Sequence, residues 1–330
     1  MKILQDTLQS LSLGAPQHYR NLSMFPLVAN ASKKPDYLVL DEALERQVAR
    51  ITEVSQQGSV PELQFSNQAD RAVLLLDGEE LLGAKQNRVL NLTLLVPAQT
   101  SLKIPVSCVE AGRWQHQSAE FKASPRAYYS SGRAKKLRQV TACMTETGCH
   151  YSDQQAVWAD IAEKASRLRT SSPTGAMAAM YENHQHSLED YVLGLSLVNH
   201  QVAALFAING QLIGLDLFDF PATMDKLFAK LVRSYALDAL DNPNVVTEAS
   251  TSEQAQGFLQ TVVQSKSESF PALGEGTDLR LEGSGLVGSA LIARDRIVHL
   301  SAFRLQQSPS SSSSSFRSGN IFRRHHRRQP

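Results

Sequence analysis

Short apolar runs interrupted by turn residues fill the first 122 residues, at spacings too tight for long helices, and they predict strands. One helix is expected among them. Leu44, Val48, Ile51 and Val54 repeat at helical spacing behind Asp41, a good capping residue, so residues 42–56 read as an amphipathic helix. Val73, Leu74, Leu75 and Leu76 run into Asp77-Gly78 and return through Glu79 to Ala84, the pattern of a two-residue hairpin whose positive φ angles suit Asp and Gly. A second such hairpin turns at Asn209-Gly210, and a third around Arg294-Asp295.

Helical periodicity marks the later chain. Residues 133–145 place Ala134, Leu137, Val140 and Met144 on one side, and 153–168 do the same with Trp158, Ile161, Ala165 and Leu168 behind Asp153. The strongest stripe follows Pro221, with Met224, Leu227, Phe228, Leu231, Val232 and Tyr235. A further helix is expected over 252–265, and Thr170 to Gly175 reads as a connector. Strands before, among and after helices, without regular alternation, predict an α+β fold. Its N-terminal part, 1–122, is antiparallel and β-rich with hairpins. It packs with an α+β C-terminal part, 126–305, compatible with one compact unit.

Composition changes the picture only at the end of the chain. Six consecutive serines, Ser310 to Ser315, precede Arg317, Arg323, Arg324, Arg327 and Arg328, so residues 306–330 are expected to be a disordered tail. Of 33 bases in the chain these five leave 28, against 32 acids, so the body is mildly acidic and gives no electrostatic reason to expect nucleic acid or membrane as partner. No segment approaches the roughly 18 apolar residues of a membrane span. Asp6, Gln9 and Ser10 interrupt any signal-peptide core. The three cysteines, Cys108, Cys143 and Cys149, do not form a secreted disulfide framework, and Cys143 and Cys149 read as unbridged. A cytoplasmic protein is the expectation.

Candidate chemistry concentrates between Glu79 and Arg138. The run Gly83-Ala84-Lys85-Gln86-Asn87-Arg88 leads it, followed by Asn91 and by Ile104-Pro105-Val106-Ser107-Cys108-Val109-Glu110-Ala111-Gly112-Arg113-Trp114. With the Asp-Gly-Glu-Glu-Leu turn at 77–81, these stretches resemble the ARG and rhodanese-phosphatase-superfamily-associated protein domain, the ARPP family, in which ARG denotes ADP-ribosylglycohydrolase. The resemblance covers about residues 1–304. It implies a role in NAD or ADP-ribose metabolism through the company such domains keep, and it carries over no catalytic residue.

The residues themselves leave alternatives open. As a strand, 103–110 puts Ile104, Val106, Cys108 and Glu110 on one face, which makes Cys108 a buried structural thiol and leaves Glu110 to pair with a base or reach a cleft. Strand alternation sends Gln86 and Arg88 one way and Lys85, Asn87 and Asn91 the other, so they converge only if Gly83 permits a bulge. From Arg113 to Arg138 seven bases face the single acid Glu120, with Trp114, Phe121, Tyr128 and Tyr129 interleaved and Ser130-Ser131-Gly132 before a helix. This suits a nucleotide diphosphate, stacked on an aromatic and held by guanidinium and N–H groups, or else a solvated basic helix face. His184, His186, His150 and Cys149 lack the spacing of a zinc site, and the glycines at 283, 285 and 288 make no dinucleotide fingerprint. Asp216 and Asp219 read as acids near the start of the Pro221 helix.

Three functions follow. The first is a binding or accessory protein for an ADP-ribose- or NAD-like small molecule, held by Lys85, Asn87, Arg88, Arg113, Trp114, Arg126, Tyr128 and Arg133, with no cofactor or metal called for. The second is an enzyme on such a substrate, with Glu110 or Glu79 as general acid or base. The third is a scaffold for a protein partner, using the apolar hairpins as sheet edges.

Overall fold

A computed structural model describes residues 2–29, 34–55, 59–115, 118–243, 249–283 and 285–305. The expected disordered tail, 306–330, lies outside the described residues. Helix α1 (Lys2–Gln9) precedes strands β1 (Ser12–Leu13), β2 (Gln17–Tyr19) and β3 (Leu22–Val28). Next come β4 (Tyr37–Val39), α2 (Leu40–Glu45), β5 (Ala49–Glu53), β6 (Glu62–Asn67) and β7 (Ala72–Leu75). Strands β8 (Glu79–Gly83), β9 (Arg88–Leu90), β10 (Leu94–Val96), β11 (Thr100–Cys108) and β12 (Phe121–Ala127) complete the strand-rich first part. Helices α3 (Ser130–Thr147), α4 (Gln154–Arg167), α5 (Ala178–Asn183) and α6 (Gln185–Gly194) lead to strands β13 (Gln201–Ile208) and β14 (Gln211–Phe218). After α7 (Pro221–Asp241) and α8 (Ser252–Gln264) follow β15 (Lys266–Pro271), β16 (Thr277–Gly283), β17 (Leu286–Ala293) and β18 (Arg296–Arg304). The fold is mixed α+β, with a strand-rich N-terminal part.

Its largest sheet is antiparallel, in the order β1-β3-β13-β14-β18-β17-β16-β15, with β2 added on β3. Helices cover both faces, which is why β13 is buried along its whole length. Phe206, Val298 and Phe303 face Leu227, Leu231 and Tyr235 of α7. On the other face, Leu205, Leu281 and Leu300 meet Leu4 and Leu8 of α1 and Phe258 of α8. Each such side chain contributes about 1.5–3 kcal/mol by leaving water. The Asn209-Gly210 and Arg294-Asp295 hairpins form as expected, with φ of 49° and 70° in the first and 54° and 58° in the second.

A second core lies inside a curled six-stranded sheet of order β12-β8-β9-β11-β6-β5. Ile51 of β5, Phe65 of β6, Ile104 and Val106 of β11, Leu81 of β8 and Phe121 of β12 all point into it. Strands β10, β7 and β4 form a small sheet whose Leu94, Val73, Leu75 and Leu38 join the same core. No helix among the described residues is long and apolar enough to cross a membrane.

Three local expectations fail here for identifiable reasons. Asp77-Gly78 does turn the chain, but only Gly78 has positive φ, at 84°, and β7 pairs with β4 and β10 while β8 pairs with β9 and β12. The turn therefore passes the chain from one sheet to another. The expected helix over 42–56 stops at Glu45. Gln47 takes φ of 56° and β5 follows, burying Ala49 and Ile51 in alternation. Ile51 fits both periods, and pairing with β6 decides between them. Cys143 and Cys149, read as unbridged, form a disulfide across the end of α3. Six residues of helix end and turn bring their Cα atoms to 5.2 Å, a proximity that counting cysteines does not disclose.

Candidate functional site

The polar run after β8 is a tight turn and not a strand. Gly83 and Ala84 both take positive φ, 133° and 40°, so the chain reverses into β9 and gathers Lys85, Gln86, Asn87 and Arg88 at one corner. This turn, and no bulge, makes the side chains converge. The corner is buried: Lys85 is 8% exposed, Asn87 9% and Arg88 0%. A polar turn under cover needs internal partners. The loop after β11 supplies them, held against the connector by hydrogen bonds from Met177 N to Val109 O and from Gly112 N to Thr174 O.

Glu110 and Arg113 close a ring on this turn. Arg113 Nε donates to Glu110 Oε2 at 2.8 Å, Nη1 to Ala84 O at 2.9 Å and Nη2 to Asn87 Oδ1 at 3.0 Å. Glu110 also accepts from Asn87 N at 3.2 Å and from Thr174 Oγ1 at 2.9 Å. Burial alone would raise the Glu110 carboxyl, but the Arg113, Thr174 and Asn87 donors outweigh it and hold it below its usual value. Glu110 is thus an ionised clamp.

Beside this ring, Trp114 is 45% exposed, with Lys85 Nζ 5.3 Å and Arg88 Cζ 5.7 Å from its ring centroid. Arg88 Nη1 donates to Gln86 Oε1 at 3.0 Å. Among the described residues its Nε and Nη2 have no hydrogen-bond partner, although Nη2 lies 4.0 Å from Glu53 Oε1, and both Glu53 oxygens are likewise unmatched. Burial lowers the Arg88 pKa. Cys108, opposite Arg88 in the ladder, has its thiol pushed up to about 11 by burial. The native thiol should therefore resist alkylation at neutral pH, while Cys108→Ala costs about 1 kcal/mol in lost packing. Mass spectrometry after iodoacetamide treatment and a urea melt check the two halves, and fast labelling would overturn the structural role.

The other candidates lie elsewhere. Glu79 sits at the far end of β8 from the turn, about 15 Å along the strand. It is 1% exposed and accepts from Lys230 Nζ at 2.6 Å, and burial raises its pKa. Glu79 and Glu110 therefore do not face each other. Arg126 pairs with Glu80 at 3.0 Å and Glu182 at 3.1 Å. Tyr128 is in the core, its ring 4.6 Å from that of Tyr129. Arg133 is fully buried and bidentate on Asp216, at 2.7 and 3.1 Å.

The positive segment forms no continuous basic surface, because of its seven bases only Lys122, Lys135 and Arg138 are exposed. Arg113, Arg126, Arg133, Lys135 and Lys136 pair with Glu110, Glu80, Asp216, Asp160 and Asp77 respectively. Most of these acids lie well outside residues 113–138, so a local charge count misses them. The helix start at Ser130-Ser131 does receive an anion, but it is Asp238, which accepts from Ser131 N at 2.7 Å. Asp216 and Asp219, read as helix-start acids, instead serve Arg133 and the Tyr37–Arg296 pair.

A family model described as the ARG and Rhodanese-Phosphatase-superfamily-associated Protein domain matches residues 10–303. The chain belongs to this family. The match spans all three sheets and every described helix except α1, so the corner, the curled sheet and the buried ion pairs all lie within the ARPP domain. No curated protein and no solved structure matches the chain. The family's name associates it with ARG and rhodanese-phosphatase-superfamily proteins, which points to a role in a related pathway.

Proposed function

We propose that this ARPP domain is a binding or accessory protein for an ADP-ribose- or NAD-like nucleotide in NAD or ADP-ribose metabolism, and that the corner of Lys85, Asn87, Arg88, Glu110, Arg113 and Trp114 takes the ligand. The carrying observation is the half-exposed Trp114 with the cations Lys85 and Arg88 against its ring. An indole can stack a purine, worth about 1–3 kcal/mol per base. The family's association with ARG proteins favours an ADP-ribose-like ligand over other nucleotides. Binding fits better than turnover, because Glu110 is ionised and clamped and Glu79 stands a strand's length away.

Trp114 is the residue to test, since Arg113 is buried, Arg126 is half-buried, both are paired, and their loss would disturb the fold. ADP-ribose at about a hundredfold its dissociation constant should stabilise the fold by about 2.7 kcal/mol. Trp114→Ala should weaken binding by about 1–3 kcal/mol with little change in the unliganded melting temperature. Calorimetry with ADP-ribose, NAD and ADP decides it: if none binds at millimolar concentration, the scaffold function takes its place.

A further inference from the structure

Helix α3 ends in a bridged turn. Gly148 takes φ of 72°, its N–H donates to Met144 O at 3.0 Å, Cys149 N donates to Cys143 O at 3.3 Å, and the Cys143–Cys149 disulfide lies across the same residues. Neither main-chain bond involves a sulfur. The helix end therefore keeps the two cysteines within reach of each other whether the bridge is open or closed, and an opened bridge can close again without a search through the chain. Both cysteines are half-buried, while Thr145, Glu146, Thr147 and Gly148 around them are exposed, so a small thiol in solvent can approach the sulfurs. Cys108, the remaining cysteine, is buried.

Beyond the bridge, residues 149–153 run as a strap along the curled sheet to the start of α4. Asn91 Nδ2 donates to His150 O at 3.1 Å, Tyr151 Oη donates to Glu62 Oε1 at 2.9 Å, and Ser152 Oγ lies 2.6 Å from Ser107 Oγ. Asp153 N donates to Gln139 Oε1 of α3 at 3.1 Å. These are side-chain contacts, and the strap belongs to no strand ladder. Its far end is anchored by Asp153, whose carboxylate caps α4 by accepting from Gln155 N and Ala156 N. Its near end is anchored by the bridge. Opening the bridge removes one of two anchors from a segment with little main-chain support of its own.

We propose that Cys143 and Cys149 form a reversible dithiol–disulfide site, opened by exchange with a dithiol, and that opening loosens the strap on the curled sheet. A thiolate of the dithiol attacks Cys143 Sγ, the S–S bond breaks, and Cys149 leaves as a thiolate. Thr147 Oγ1 lies 3.0 Å from Cys149 Sγ and can donate to that thiolate until it takes a proton from water. The second thiol of the reagent then displaces Cys143. Two cysteine thiols and the reagent's cyclic disulfide result, so two electrons pass to the bridge and the reagent is oxidised. The site does not depend on a ligand at the Trp114 corner, so the two proposals stand or fall independently.

The probe is dithiothreitol, mixed in stepped ratios with its cyclic disulfide and added to the full folded chain, with free thiols trapped by iodoacetamide and located by mass spectrometry. Labels on Cys143 and Cys149 should appear together in one transition, at the same ratio whether the chain starts oxidised or reduced, while Cys108 stays unlabelled. In the reduced chain, hydrogen exchange at the Gly148, Cys149 and Asp153 amides should quicken about tenfold or more, with the α7 amides unchanged. The double variant Cys143→Ser, Cys149→Ser should exchange at the faster rate in every mixture. Labelling of both cysteines in the folded chain without any reductant would show that there is no bridge, and overturns the proposal. A bridge that opens only when urea has unfolded the chain would be a fixed staple, which overturns it as well. So does equal exchange of the three amides in the oxidised and reduced chains, since opening would then release nothing.

Discussion

Replacing Arg133 with methionine is expected to cost about 3–5 kcal/mol of folding stability, because it strands two buried carboxylates. Arg133 is wholly buried, with Asp216 bidentate on its guanidinium, Asp77 at 3.7 Å and the Phe303 ring at 4.9 Å. It ties α3 to β14 and to the turn between the two sheets. Methionine keeps most of the apolar volume, so the loss reports charge and not a cavity. Burial pushes the Asp216 carboxyl up, but Arg133 outweighs it and holds the group well below the usual range. A depressed folded pKa means the contribution is complete above the unfolded value of about 3.9 and fades as pH falls through the folded one. Urea melts at neutral pH should show a lower midpoint with an unchanged slope. Adding Asp216→Asn to the methionine variant should recover part of the loss. A loss below about 1 kcal/mol would mean that Lys136, Tyr235 and His299 satisfy both acids without the arginine.

This pair also marks what the sequence discloses and what it withholds. Helix α7 was legible because Met224, Leu227, Phe228 and Leu231 carry one period that no neighbour contradicts. The Asn209-Gly210 and Arg294-Asp295 turns were legible because their residues tolerate positive φ locally. Partnership was not legible. Asp77-Gly78 has the residues of a hairpin turn, but which strand lies beside β7 depends on β4 and β10, tens of residues away on one side. Arg133 and Lys136 look like surface bases until Asp216, 83 residues later, and Asp77 are folded onto them. At the corner, Lys85, Asn87, Arg88, Glu110, Arg113 and Trp114 stood close enough in sequence to be grouped, whereas Glu53 and Thr174 could be found only in three dimensions.

Lys230→Met should cost about 3–5 kcal/mol near pH 8 and progressively less as pH falls. The Lys230 side chain is 4% exposed, and its Nζ donates to Glu79 at 2.6 Å and to both Asp41 oxygens at 3.1 Å. Asp41 is a third exposed and stays hydrated, so the burden of the substitution falls on Glu79. That carboxyl is already raised by burial, and loss of the opposing ammonium raises it further. With the folded pKa above the unfolded value of about 4.3, the folded state holds the extra proton in between, so stability falls as pH rises through that window. The gap between variant and parent should therefore be smallest near pH 4.5 and widen until the folded pKa is passed. Urea midpoints for both proteins, taken across this range, measure it. A gap that does not change with pH would show that Lys230 contributes packing and hydrogen bonds alone. The buried pair would then be no reservoir of unfavourable charge, and Glu79 would lose its one qualification as a proton-handling group.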